Sequence, residues 1–348
     1  MKKEIYNLQI ARGLAALIVV FGHLLPTYIA NYLPNPQIGV SIFFCLSGFI
    51  MVYSFREDDG FLSFMKKRIL RIYPSYIIIS APLILFFTIQ THSLDYFIHN
   101  SLFIPWVDWD NNPLSQKTKL SVANPLAWTL FYEFYFYIIF SISKTIFPKS
   151  KIKVIALTST IIISGIIITR LLYGNDPYLG FHTITFRAIT GNLCLFPFIF
   201  GMVGSIFLEK QNAPGEFKIW TLLVIPLSTF LLSYTQKYIS NEQLSDLLFS
   251  GIPSSLFLLY LATSADCRGY IYNKVHAVGE FSFSLYLFHA NFLMIILKVQ
   301  DALSLTVWTR IPLSLALIVI SLYASKWLYL NVERNSLFKP SKAIKINR

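Results

Sequence analysis

Charge is scarce in this chain. Only 13% of its 348 residues are Asp, Glu, Lys or Arg, while 55% are hydrophobic. Soluble domains carry about 25% charged residues, so a soluble globular protein is excluded. Acids are scarcer than bases, 17 against 29, which leaves a net charge of +12. Cysteine is scarce too: Cys45, Cys194 and Cys267 show no paired spacing, and two of them lie inside apolar segments. They read as free thiols, with no disulfide framework. Several chemistries have no motif at all. The chain has no Gly-rich phosphate loop, no His-Glu-x-x-His run and no Gly-x-Ser-x-Gly elbow. Phosphate-loop nucleotide hydrolysis, zinc peptidase chemistry and α/β-hydrolase chemistry therefore drop out. No two histidines stand four residues apart, so no metal site is expected. Repeats, low-complexity tracts and separate soluble domains are also missing, and residues 1–348 read as one domain.

What fills the chain instead is long apolar runs, and the mean hydropathy is +0.58. Windows long enough to span a bilayer fall at 8–29, 38–55, 72–90, 126–147, 154–172, 187–208, 218–235, 247–265, 277–297 and 311–330. The expectation is an all-α, polytopic bundle of about ten transmembrane spans, followed by a short basic tail. The N-terminus has no small-residue cleavage pattern, so the first run reads as a retained span.

The joins divide the charge unequally. One alternate set, including Arg56, Lys66–Arg71, Lys144–Lys153 and the C-terminal tail, holds 20 lysines and arginines; the other holds 7. Cytoplasmic loops collect Lys and Arg, which places both termini in the cytoplasm. The positive charge is thereby explained by topology and membrane lipid, and no nucleic-acid partner is expected. Trp106 and Trp109 lie in the long outer segment 91–125. Indoles there suit a membrane interface or a sugar-stacking surface.

Against this apolar background a few polar residues stand out. Arg12 and His23 share the first span, eleven residues apart. That spacing returns to within about 20° of one helix face with a rise of about 16 Å. Each has a plain alternative: Arg12 as a snorkelling interfacial arginine, His23 as a helix-packing hydrogen bond. Lys67, Arg68 and Arg71 open the third span, with Arg68 and Arg71 on one face. Two guanidinium forks suit phosphate oxygens, and equally a topology anchor on anionic lipid. Glu133 sits in the aromatic run AWTLFYEFYFY, where a carboxylate needs a partner or a proton. Trp128 at that span's mouth reads as a belt residue. In the ninth span Ser282, Tyr286 and His289 form one polar stripe. Helical rise brings His23, Glu133 and His289 to comparable depth, a candidate reaction chamber.

These residues carry a family resemblance. Arg12-x10-His23 is similar to the first-span Arg/Lys-x10-His signature of the acyltransferase 3 family of integral membrane acyltransferases. GVSIFFCLSGFIM (39–51), KKRILRIYPSY (66–76), Trp128-x-Leu130-x-x-Glu133 and GEFSFSLYLFHANF (279–292) resemble its further blocks, in family order. Each block alone is weak; five in order are specific. Two departures are mild: Glu333-Arg334-Asn335 lacks the family's usual proline, and Phe283 stands where tyrosine is usual. The sequence shows no appended hydrolase-like domain of the kind found in fused family members, so the resemblance gives peptidoglycan, where that fusion is frequent, less weight as the acceptor.

The resemblance implies transfer of an acyl group, usually acetyl, from cytoplasmic acyl-CoA to a hydroxyl of a cell-envelope glycan or lipid-linked sugar. O-antigen, capsule and exopolysaccharide are among the candidates. The host would be the bacterial cytoplasmic (inner) membrane. Arg68, Arg71 and Lys67 would hold the phosphates of acetyl-CoA, with Arg12 acting from within the bundle. His23 would be the general base or a transient acyl carrier, and Glu133 would orient it. Trp128, Ser282, Tyr286 and His289 would line the acceptor side. The competing reading is a transporter or flippase-like component of glycan export, with the buried His, Glu and Arg as a relay.

Overall fold

Proline and small polar caps set where the helices begin and end in the computed structural model. It describes residues 5–105, 122–174, 184–210, 215–235, 239, 241–303 and 307–334; Trp106 and Trp109 lie outside them. The first helix, α1 (Tyr6–Leu24), stops ahead of Pro26, five residues short of the expected span. After the short α2 (Thr27–Ala30), α3 (Pro36–Tyr53) starts on Pro36, with Asn35 Oδ1 accepting from the Gln37 amide at 2.9 Å. A proline at the first helical position loses nothing, since its missing N–H would have no helical partner.

The chain continues through α4 (Phe61–Thr91), α5 (Leu94–Leu102), α6 (Trp128–Ile146), α7 (Lys151–Tyr173), α8 (Phe186–Gly191) and α9 (Phe196–Lys210). Then come α10 (Val224–Thr235), α11 (Glu242–Asp246), α12 (Ile252–Thr263), α13 (Tyr270–Glu280), α14 (Ser282–Leu303) and α15 (Val307–Leu328). Wide π-turns at Leu247–Gly251 and Tyr329–Glu333 join α11 to α12 and extend α15. Among the described residues there is no strand; Gly215 and Ser264 form an isolated bridge.

Six of these helical stretches are long and apolar enough to cross a membrane: Tyr6–Leu24, Pro36–Tyr53, Phe61–Thr91, Lys151–Tyr173, Glu242–Thr263 and Thr309–Glu333. The described residues are all-helical, and the protein is a multi-pass membrane protein. The other expected spans fall on α6, α9, α10 and the α13–α14 pair, which is broken at Phe281. α4 is the longest helix at 31 residues, about 46 Å. It exceeds an apolar slab of about 30 Å, so one end must project beyond it.

Two pairs of glycines set the closest helix crossings. A Cβ at Gly48 of α3 would stand 2.0 Å from the Phe198 carbonyl oxygen, and one at Gly201 of α9 would stand 1.8 Å from that of Cys45. Gly13 of α1 and Gly279 of α13 approach Val275 O and Gln9 O in the same reciprocal way. Backbones in such contact leave no room for a side chain.

Buried amides pin the ends. Asn7, fully buried, donates to the carbonyls of Leu261, Ser264 and Ala265 at 2.9–3.2 Å and accepts from the Cys267 amide at 2.9 Å. It thereby satisfies the open carbonyls at the end of α12. Asn124 does the same work ahead of α6: its Nδ2 reaches Ser80 Oγ at 3.0 Å and Leu287 O at 3.2 Å, and its Oδ1 accepts from the Leu126 amide. Between these pins lies an aromatic core, where Phe136 stacks on Phe198 at 3.7 Å and Phe44 meets Trp128, Tyr132 and Phe136. All three cysteines are buried free thiols.

Candidate active site

Alternating chain direction brings six helix ends together at one end of the bundle: the starts of α1 and α4 and the ends of α3, α6, α13 and α15. They enclose a cavity of about 650 Å³. Seven cationic side chains line it (Arg12, Arg56, Lys67, Arg68, Arg71, Lys144 and Arg334) against three carboxylates, Asp59, Glu280 and Glu333. Pro74 of α4 also lines this space. Its ring removes the hydrogen bond that the Leu70 carbonyl would otherwise accept.

A second, narrower cavity of about 90 Å³ continues inward, lined by Ser47, Thr129, Glu133, Tyr137, Ser282 and Tyr286 among aromatic and aliphatic side chains. The two cavities share three residues, Arg12, Arg68 and Arg71. Arg12 of α1 and Arg68 and Arg71 of α4 thus form the throat between a basic vestibule and an apolar chamber; Lys67 lines the vestibule alone, and His23 is not among the residues lining either cavity. Arg68 is held there by two rings: its guanidinium lies 5.0 Å from the Phe64 centroid and 5.3 Å from that of Tyr137. A planar cation over aromatic faces keeps its fork oriented and its donors free for an anion. Arg12 Nη1 donates to Gln9 Oε1 at 3.2 Å, one turn below on the same helix.

Glu133 opens toward this chamber. Its Oε1 accepts from Ser47 Oγ at 2.8 Å and from Tyr137 Oη. Tyr137 follows four residues later on α6, so that half of the arrangement is a helical neighbour. Ser282 Oγ lines the same chamber, is fully buried and has no hydrogen-bond partner.

The histidines meet each other. His23 Nδ1 and His289 Nε2 are 3.2 Å apart, with the rings stacked at 5.5 Å and 19°. His289 is fully buried on α14, and its Nδ1 lies 2.8 Å from the Leu285 carbonyl oxygen. A carbonyl only accepts, so His289 Nδ1 carries the proton. In the neutral ring Nε2 then presents a lone pair, which accepts from His23 Nδ1. The remaining lone pair of His23 sits on Nε2. Tyr286, which lines the chamber, meets His289 edge-on at 6.1 Å.

This placement revises two expectations. Glu133 was to orient the His23 imidazole; the group at His23 Nδ1 is His289, and the carboxylate is engaged by Ser47 and Tyr137. Trp128 was to sit at the membrane interface or on the acceptor side. It is 4% exposed and packs edge-on against Phe44 and Tyr132. Its indole belongs to the aromatic core next to the chamber-lining Thr129. Among the described residues no three His, Cys, Asp or Glu side chains come together.

Four contributors were not singled out from sequence. Ser47 lies inside the SGF block and Tyr137 one turn beyond Glu133, so both were within reach. Lys144 and Asp59 were not: they read as topology charge and loop, yet Lys144 is 3% exposed and lies 3.9 Å from the Asp59 carboxylate, which also binds Lys67.

With this geometry in hand, similarity to known proteins is decisive about the family. The acyltransferase 3 family, described as an acyltransferase domain, matches residues 5–330. The chain belongs to that family. It is similar to acyltransferase MdmB of Streptomyces mycarofaciens, 23% identical over 266 residues, which covers 73% of this chain and 67% of that one. It is also similar to the putative peptidoglycan O-acetyltransferase YrhL of Bacillus subtilis (strain 168), 24% identical over 317 residues. That match covers 83% of this chain and 49% of the relative, so the chain spans about half of that protein's length. No solved structure matches the chain. The protein is an acyltransferase embedded in a membrane by several helices.

Proposed function

We propose that the protein is an O-acyltransferase that takes acetyl from acetyl-CoA on the cytoplasmic side and passes it to a hydroxyl of a cell-envelope polysaccharide or lipid-linked sugar. The observation that carries this reading is the arginine throat between a basic vestibule and a narrow chamber. Acyl-CoA has the same two-part character, an anionic nucleotide head on a thin, nearly uncharged arm.

In this reading the vestibule end faces the cytoplasm, both termini lie on that side, and the chain makes about ten passes of a bacterial inner membrane. The excess of lysine and arginine on that side supports it. Arg68 and Arg71 bind the pyrophosphate through charge-assisted hydrogen bonds, with Arg12 behind them. From phosphate to sulfur the pantetheine arm has about twelve bonds, an extended reach of about 15 Å. The rise from Arg12 to His23 is about 16 Å. The arm passes Ser282, whose unpartnered hydroxyl suits one of its amides, and delivers the thioester beside His23.

The transfer follows from the tautomer. The acceptor oxygen bonds to the thioester carbonyl carbon, the carbon–sulfur bond breaks, and the hydroxyl proton moves to His23 Nε2. The coenzyme leaves as its thiolate and takes that proton. While His23 is charged, its Nδ1–H remains on the His289 lone pair, so His289 positions and stabilises the imidazolium. Glu133 and Tyr286 shape the chamber on the arm's path. O-antigen, capsule, exopolysaccharide and peptidoglycan are candidate acceptors, the last from the name of the Bacillus relative.

Purified protein given radiolabelled acetyl-CoA and cell-envelope glycan should label the glycan, and His23→Ala should abolish labelling while the protein still elutes as a folded species. Full labelling by His23→Ala would sink the mechanism. Surface glycans compared by mass with and without the gene identify the acceptor through a missing 42-dalton increment, about the mass of one acetyl replacing hydrogen.

A further inference from the structure

The vestibule holds a second cationic locus that the throat arginines leave unused. Lys144 belongs to the last turn of α6 and is 3% exposed, an unusual depth for an ammonium. Its Nζ lies 5.2 Å from the Phe55 centroid and 5.4 Å from the Phe64 centroid. Across from it Lys67 reaches the same carboxylate, Asp59, so two ammoniums flank one anion at the cavity wall. All three line the vestibule.

Phe64 ties this locus to the throat. Arg68 lies 5.0 Å from that ring's centroid and Lys144 5.4 Å, so their charged centres are separated by at most about 10 Å. The 5′- and 3′-phosphates on one ribose are likewise close neighbours, joined by six bonds and about 6–7 Å apart. A ligand whose 5′-phosphate sits on Arg68 therefore brings a 3′-phosphate within reach of Lys144.

We infer that Lys144 and Lys67 form a subsite for the 3′-phosphate of the coenzyme's nucleotide, distinct from the throat that holds the pyrophosphate. The inference rests on acyl-CoA being the donor. Chemistry at the thioester makes no use of this phosphate; its contact supplies binding energy and selects the coenzyme over donors that lack it. Asp59 occupies the gap between the two ammoniums and holds them in place. It also keeps Lys144, otherwise a bare charge in an apolar wall, charge-compensated when the ligand is away.

Binding of acetyl-CoA and of acetyl-3′-dephospho-CoA to the purified full chain, by calorimetry, tests this without any substitution. The expected result is about tenfold tighter binding of acetyl-CoA, the range of one charge-assisted contact. Lys144→Met keeps the aliphatic packing over Phe55 and Phe64; it should bring the two affinities to within about threefold by weakening acetyl-CoA alone, and Lys144→Arg should restore the preference. Equal affinity of the unaltered protein for both ligands overturns the subsite and leaves the donor assignment standing. Equal loss of both ligands in Lys144→Met also overturns it, making Lys144 a structural ion pair. Failure of the unaltered protein to bind either ligand overturns the donor assignment itself.

Discussion

His23 and His289 share one hydrogen bond across 266 residues of sequence, Nδ1 to Nε2 at 3.2 Å, and the Leu285 carbonyl fixes which ring gives the proton. The pair makes a specific claim about rate. His289→Phe fills the volume but cannot accept, so turnover should fall about 100-fold or more. KM for acetyl-CoA should change by less than about threefold, because the donor's phosphates are bound elsewhere. His289→Gln, whose carbonyl can accept from His23, should recover part of kcat. A packing role alone predicts the reverse order, with Phe the better substitute. Steady-state kinetics on the two variants separates the cases.

Arg68 is expected to be intolerant of lysine. Its planar fork lies 5.0 Å from the Phe64 ring centroid and 5.3 Å from that of Tyr137, whereas an ammonium gives up the bidentate phosphate contacts that a fork can make. Arg68→Lys should weaken acetyl-CoA binding about tenfold, about 1.4 kcal/mol. A transporter using these charges only as topology anchors would tolerate the change. An unchanged dissociation constant would favour that reading.

The crossing of α3 and α9 should be the most sensitive packing site. With a Cβ at Gly201 only 1.8 Å from Cys45 O, even alanine forces the helices apart. Gly201→Ala should lower the melting temperature in detergent measurably, and Gly48→Leu should prevent recovery of a monodisperse species. Size-exclusion profiles read both. Wild-type behaviour of Gly48→Leu would contradict the described crossing.

Acid should loosen the vestibule before it loosens the bundle. Burial alone would raise the Asp59 pKa, but hydrogen bonds from Lys67 and Ser63 and the Lys144 charge outweigh it and hold the carboxyl below its ordinary range. A depressed folded-state pKa contributes stability above the unfolded value of about 3.9 and loses it as pH falls through the lower folded value. Between pH 5 and 8, on the order of the usual assay range, this contribution should be flat. Below about pH 4 the wild type should lose thermal stability that Asp59→Asn has already lost. Parallel acid profiles for the two proteins would remove Asp59 from the account.

Much of this was written in local pattern. Helix α1 shows its polar face from Arg12 and His23 alone, and α14 shows its stripe from Ser282, Tyr286 and His289, because helical periodicity is a short-range signal. What pairs with what is not short-range. Nothing near His23 names His289, and sequence depth favours the Glu133 carboxylate as the orienting group because depth along a helix says nothing of azimuth. Lys144 was hidden for a different reason: a lysine at the end of a span has the same sequence signature whether it faces lipid headgroups or lines a cavity. Trp128 misled in the opposite sense, since a tryptophan opening an apolar run looks like a belt residue even where the helix end is covered by the segment that Asn124 holds.

The helix that carries both Arg12 and His23 is also moored at two points. Asn7 ties its start to the last carbonyls of α12, and Gly13 locks backbone-to-backbone against α13. A sliding or rocking α1 would have to break these ties at once, and rocking of helices is how alternating-access carriers work. In the proposed transfer α1 is therefore a clamped tool, to which donor and acceptor are brought like workpieces on a lathe.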